Sequence, residues 1–234
     1  MVKNRYNGIL KRYNKDIAAL TANDTLKRVV AWYLQKCLWK WSTERVLELG
    51  CWEGEMTKHL LDMNKEILID ALDVSPSMIA TIKKNLVLHH DRIQFLCKDI
   101  LAWLQDSQWY KYILESQVIH NFPQADKERV FQAIYDSLLP WGKMIITDKI
   151  YPNFPRNEQA RWKNMLDRQQ NRYDIGLSSW VAEAIHQHEL QDLSDDYRME
   201  EYPTKDMLAD IWFNNIEIID RLERDVVLVA GKAT

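Results

Sequence analysis

Apolar positions along the chain fall into three regimes. Over residues 1–42 they recur at three- and four-residue steps: Ile9, Tyr13, Ile17 and Leu20, then Leu26, Val29, Val30, Tyr33, Leu34 and Cys37. That is the spacing of helical faces, and Thr21–Ala22–Asn23–Asp24 between them supplies turn and cap residues. Two helices are expected before the first strand. Over residues 43–150 short apolar runs alternate with helical stretches. Strands are predicted within 45–54 and at 67–73, 93–97, 112–116 and 143–148, with helices at 55–63, from Ser75–Pro76 through about Leu86, and at 126–139. Strands that alternate with helices predict a parallel, doubly wound sheet. Beyond 150 the period is helical again, at 156–170, 178–190 and 205–213. Two apolar runs, 216–220 and 226–230, then close the chain as a hairpin.

The first strand run ends in an acid, Glu48, and breaks into a turn carrying Gly50 and Gly54. Glycine there permits backbone conformations that a Cβ hinders. In open α/β sheets ligands bind outside the carboxyl ends of the strands, and bare amides in such a turn can hold an anionic nucleotide. The second strand ends in Asp73, 19 residues beyond Gly54. That is where a carboxylate meets ribose hydroxyls in nucleotide-binding βαβ units. Ser75 and Pro76 then cap and open a helix. Asp99 follows the third strand, Glu115 lies in the fourth, and Asp148 ends the fifth.

Composition narrows the setting. A chain of 234 residues, 47% hydrophobic and 28% charged, suits one α/β domain with decorations. The expected division is a helical cap (1–42), a core (43–150), a helical insertion (151–213) and a terminal hairpin (214–234). With no membrane-length apolar run and no signal-like start, a cytoplasmic protein is expected. A net charge of −3 argues against a dedicated nucleic-acid surface. Cys37, Cys51 and Cys97 are odd in number, with no CxxC pair, so neither a disulfide framework nor a metal site is expected. Ten Trp and ten Tyr serve either as core filler or as a pocket lined with rings, which would suit a flat or cationic ligand.

In order, VLELGCWEG, ALDVSPSMI, FLCKDI, ILESQVIHNF and LLPWGKMIITDK resemble the motifs of class I S-adenosylmethionine-dependent methyltransferases. The resemblance implies a Rossmann-like seven-stranded sheet with an antiparallel terminal hairpin, an N-terminal helical cap and a helical insertion after the fifth strand. It implies that Glu48, Gly50, Cys51 and Gly54 surround the methionine part of the cofactor. Asp73, with Val74 beside it, would bind the ribose. Met78 and Ile100 would flank the adenine, with Asp99 on its amine. Gln117 and His120 would face the sulfonium and the substrate.

The implied reaction converts S-adenosyl-L-methionine to S-adenosyl-L-homocysteine, with methyl transfer to O, N or C of a small molecule, in a monomer or homodimer. His120 is the candidate base, since histidine titrates near neutral pH. Tyr13, Tyr151 and His186 are candidates for the substrate pocket. His186 and His188 are two apart and point to different faces of a helix, so they make no metal pair. The pattern departs at Trp52, where the family has a small residue in its GxGxG turn, and this side chain must point away or reshape the turn. A dinucleotide dehydrogenase would need glycine at 52 and 55, where Trp52 and Glu55 stand. Two other readings remain open: the segment 130–150 is also similar to the carboxy-S-adenosylmethionine synthase branch, and Trp52 would suit a cofactor-binding protein without transferase activity.

Overall fold

A computed structural model of the chain describes residues 23–38, 44–104, 109–152, 183, 186, 187, 190–222 and 224–233. The first expected helix, with Tyr6 and Tyr13, lies outside them. So do most of the helical stretches expected at 156–170 and 178–190, with His188.

The described elements are α1 (Asn23–Cys37), β1 (Arg45–Leu49), α2 (Glu55–Met63), β2 (Leu68–Asp73), α3 (Pro76–Asn85), β3 (Ile93–Cys97), α4 (Ile100–Leu104) and β4 (Tyr110–Ser116). They continue with α5 (Gln124–Ser137), β5 (Leu138–Lys149), α6 (Glu201–Asp210), β6 (Phe213–Leu222) and β7 (Asp225–Lys232). The seven strands form one sheet in the order β3-β2-β1-β4-β5-β7-β6. β1 to β5 are parallel, while β7 runs antiparallel to both β5 and β6. The order reverses direction at β1 and β4. That switch point is where such sheets open a crevice for ligands.

Alternate side chains of each strand enter different cores, as the two-residue period demands. Leu47, Leu49, Ile113, Met144, Ile146 and Leu228 pack on the face that α4, α5 and α6 cover. Val46, Tyr112, Leu114, Ile145, Val227 and Val229 pack on the other, under α1, α2 and α3. Both faces being covered, the strands read as near-continuous apolar runs.

Several boundaries differ from the sequence expectation. The last strands run longer, because Phe213–Leu222 and Asp225–Lys232 pair beyond their apolar centres. The helix expected at 205–213 is Glu201–Asp210, with Pro203 in its first turn, where the missing N–H costs no helical bond. The strand expected at 143 begins at Leu138, which pairs with Tyr110. The Pro140–Trp141–Gly142 turn is a register shift inside it, with Trp141 at φ 62°.

Candidate active site

Because β1, β2 and β3 are parallel and adjacent, their terminal acids Glu48, Asp73 and Asp99 come to one edge. The turn after β1 is laced across the end of β2. Gly50 N–H and Cys51 N–H both donate to Leu72 O, at 2.8 and 3.0 Å, and Trp52 N–H donates to Asp73 Oδ2 at 3.1 Å. Gly50, Trp52 and Gly54 all have positive φ, at 68°, 48° and 88°. Trp52 thus occupies a left-handed position that favours glycine, and the turn keeps its course with an indole where the family pattern has a small residue. A Cβ on Gly54 would sit 2.6 Å from Ile82 Cγ1, and one on Gly50 would sit 2.3 Å from Val118 Cγ2. The loop after β4 therefore closes directly onto the turn.

Asp73 is buried and holds one backbone donor per oxygen, Ser75 N–H on Oδ1 at 2.8 Å and Trp52 on Oδ2. Burial raises its affinity for a proton, and these two hydrogen bonds oppose that. A carboxylate has about four lone-pair sites, so acceptor capacity remains for a ligand. Asp99 is exposed and caps α4 through Oδ1, which accepts from Leu101 N–H and Ala102 N–H. Met78 and Ile100, both buried, open the helices after β2 and β3, and Val74 is half-buried beside them. Glu48 is buried deeper, with Thr57 Oγ1 donating to its Oε2 at 2.5 Å. Burial pushes its carboxyl up to about 7, only partly offset by Thr57 and by the charge of Lys27. Burial and the Glu48 charge also push the Cys51 thiol up.

The ends of β4 and β5 carry a different arrangement. Glu115 is 1% exposed and Asp148 0%. Burial and the nearby Asp148 charge push the Glu115 carboxyl well up, and its Oε2 finds no hydrogen-bond donor among the described residues. Glu115 Oε1 also accepts from Val118 N–H and Ile119 N–H, at 2.5 and 3.0 Å. Asp148 stays ionised well below the usual carboxylate range: burial works against the charge, but His120, Glu115 and the Lys149 amide outweigh it.

His120 stands in a 3-10 turn, Ile119–Asn121, and is 4% exposed. Its backbone N–H donates to Asp148 Oδ2 at 2.9 Å, and its Nδ1 lies 2.6 Å from Asp148 Oδ1. Nε2 lies 3.3 Å from Lys149 Nζ, which also donates to Asp192 Oδ2 at 2.6 Å. Lys127, buried in α5, donates to Phe122 O; burial pushes its ammonium down to about 8 while Asp148 and Asp192 pull it back up. Ser116 and Thr147, paired in register, leave buried hydroxyls without a partner among the described residues.

Of the other expected site residues, Gln117 has φ 59° and turns its amide to Asp225 Oδ1 on β7, at 3.0 Å. Tyr151 is buried next to the end of β5, and its hydroxyl accepts from Arg224 at 3.0 Å. His186 is half-buried, with Nδ1 unpartnered among the described residues and no described contact to the His120 cluster. Sequence reasoning placed Asp148 and Tyr151 near the site but missed the His120–Asp148 pair, and missed Thr57, Lys127 and Asp192 altogether. The acids at the strand ends were the available signal; Asp192 had none.

The set fits an adenosyl cofactor: a glycine turn tied to β2, a buried carboxylate with spare acceptor capacity and an exposed acid beyond β3. Comparison with known proteins agrees. Residues 46–142 match the family model of a methyltransferase domain. That match, over about two fifths of the chain, supports the class I S-adenosylmethionine-dependent methyltransferase superfamily. The chain is 30% identical over 110 residues to a malonyl-[acyl-carrier protein] O-methyltransferase of Bacillus cytotoxicus, which covers 45% of this chain and 38% of that protein. It is also 30% identical over 117 residues to a carboxy-S-adenosyl-L-methionine synthase of a Psychrobacter species, covering 46% of this chain and 41% of that one. The aligned parts thus span about two fifths of the curated relatives. Among solved structures, the CurJ carbon methyltransferase aligns with TM-score 0.64 at 15% identity, over 91% of this chain and 54% of that one. The mitomycin 7-O-methyltransferase MmcR aligns with TM-score 0.63 at 13% identity, over 98% and 59%. Such likeness shows the fold. No helix among the described residues is long and apolar enough to cross a membrane, and no group of three or more His, Cys, Asp or Glu among them could hold a metal ion.

Proposed function

We propose that this protein binds S-adenosylmethionine at the ends of β1–β3 and transfers its methyl group to a small-molecule acceptor at the ends of β4 and β5. The observation that carries the reading is Asp73, a buried carboxylate tied to the glycine turn by Trp52 N–H with lone pairs to spare. In this reading Asp73 takes the ribose hydroxyls, Met78 and Ile100 hold the adenine between apolar side chains, and Asp99 takes its amine. Glu48, Cys51 and the glycine turn border the methionine part, with Gln117 across from them. The bound cofactor supplies an electrophilic methyl on a sulfonium. The protein contributes orientation, a term worth at best ~7–11 kcal/mol.

His120 is the proposed base, with Asp148 fixing the ring through Nδ1 so that Nε2 is the nitrogen able to take a proton. Tyr13, Tyr151 and His186 are proposed to border the acceptor. The acceptor atom is O, N or C of a specialised metabolite, and the protein acts in the cytoplasm as a monomer or homodimer. Calorimetry with S-adenosylmethionine and S-adenosylhomocysteine tests the reading: both should bind in the micromolar range, and binding of neither would end it. A second reading, carboxy-S-adenosylmethionine synthesis, is favoured by an equally close relative bearing that name. Mass spectrometry of cofactor released from the purified protein separates the two, since a carboxylated form would replace the simple methyl-transfer reading.

A further inference from the structure

Both ring nitrogens of His120 are held by charged side chains. Nδ1 faces the Asp148 carboxylate at 2.6 Å, and Nε2 faces the Lys149 ammonium at 3.3 Å. An ammonium has three donors and no lone pair, so Nε2 accepts and the ring proton sits on Nδ1, toward Asp148. Lys149 is not loose at this point. Its side chain is 11% exposed, and Asp192, 3% exposed and 43 residues away, accepts from it at 2.6 Å. A base whose lone pair is filled by a cation cannot take a proton from anything else. An anion on one side of the ring and a cation on the other also oppose each other in their pull on a second proton.

We propose that Lys149 is a positioning residue for His120: held by Asp192, it donates to the Nε2 lone pair and sets the ring tautomer with its proton on Nδ1, so that Lys149 must withdraw before Nε2 can accept a proton. The proposal rests on the reading of His120 as the base and adds what controls it. Among the described residues, the charged and titratable groups around the ring include Asp148 and Lys149 from β5, Glu115 from β4, Lys127 from α5, Asp225 from β7 and Asp192 from the segment returning to α6. The Glu115 carboxyl is pushed well up by burial and the Asp148 charge, and Asp225 is occupied by Gln117. Among the described residues, Lys149 is a cation placed directly on the ring.

The experiment is a pH series of long-range ¹⁵N–¹H spectra on the full chain with labelled histidine, the His120 ring being identified among six histidines by a His120→Gln variant. The wild-type ring should show the neutral Nδ1–H tautomer at neutral pH. Lys149→Met should bind the second ring proton about tenfold more tightly, and Lys149→Arg should restore wild-type behaviour. Should Lys149→Met fail to fold because Asp192 is left unpaired, Lys149→Met/Asp192→Leu removes both charges together and carries the same readout. An Nε2–H tautomer in the wild type overturns the proposal whatever the variants do, and so does a folded Lys149→Met that titrates like wild type. Calorimetry with S-adenosylhomocysteine on the same samples keeps the questions apart. Normal binding with an unaltered ring sinks the positioning role alone, whereas no binding sinks the methyltransferase reading and leaves the tautomer result standing.

Discussion

The two halves of the sheet's carboxyl edge solve the problem of buried charge in opposite ways. At β1–β3, Asp73 and Asp99 are held mainly by backbone N–H groups of their own turns, and each keeps lone pairs for something else. At β4–β5, Asp148, His120, Lys149 and Asp192 are bonded to one another in a chain, with Glu115 buried beside them. One half is open to a partner; the other is closed on itself. Pre-formed acceptors suit a ligand recognised the same way every time. A closed cluster must rearrange before any of its members can do chemistry.

The largest test of this contrast removes the centre of the closed half. Asp148→Ala strips His120 of two hydrogen bonds and leaves the nearby cations uncompensated, so thermal or denaturant unfolding should show a loss of about 3–5 kcal/mol. Affinity for S-adenosylhomocysteine, measured where the variant is folded, should stay near wild type; a collapse of affinity would mean the halves are one unit. Glu48 sharpens the contrast from the other side, because it lies at the open half yet is fully enclosed. Its folded value near 7 stands above its ordinary 4.5, so its stabilising share is fully present below about 4.5 and is lost as pH rises through 7. At 1.36 kcal/mol per unit, wild type loses about 3 kcal/mol across that window through this group. Glu48→Gln should abolish that share of the slope in a pH series of unfolding curves. Asp73→Ala should weaken cofactor binding by ~1.5–3 kcal/mol; unchanged affinity would remove Asp73 from the site. Smallest of all, Lys58→Ala breaks an exposed helical pair with Asp62 and should cost only ~0.3–0.5 kcal/mol, a baseline for the rest.

The same contrast explains what could be read from the residues alone. The open half is local: an acid at a strand end, glycines two to six residues on and a cap after Asp73 all follow from short-range pattern, and each was legible. The closed half is not. The His120–Asp148 pair spans 28 residues, Lys149–Asp192 spans 43 and Gln117–Asp225 spans 108, and no periodicity encodes such pairings. Trp52 was visible as a departure, but that its φ is left-handed like that of the glycines beside it needs coordinates. Boundaries slipped where irregular backbone stays within the ladder, as at Trp141, since Pro and Gly mark a turn whether or not the strand continues through it.

The chain departs from the sheet after Tyr151 and comes back beside it. Tyr151 N–H donates to Met199 O at 3.0 Å, Glu201 N–H donates to Tyr151 O at 2.9 Å, and a parallel bridge joins Tyr151 to Glu200. The two ends of the excursion are thus clasped at one point. Closing a loop whose ends already meet costs little more when the loop grows, about 0.6 kcal/mol for each doubling of length. The length of the stretch between therefore weighs little on the clasp, and Asp192, on the returning segment shortly before Met199, is anchored by it where it meets Lys149.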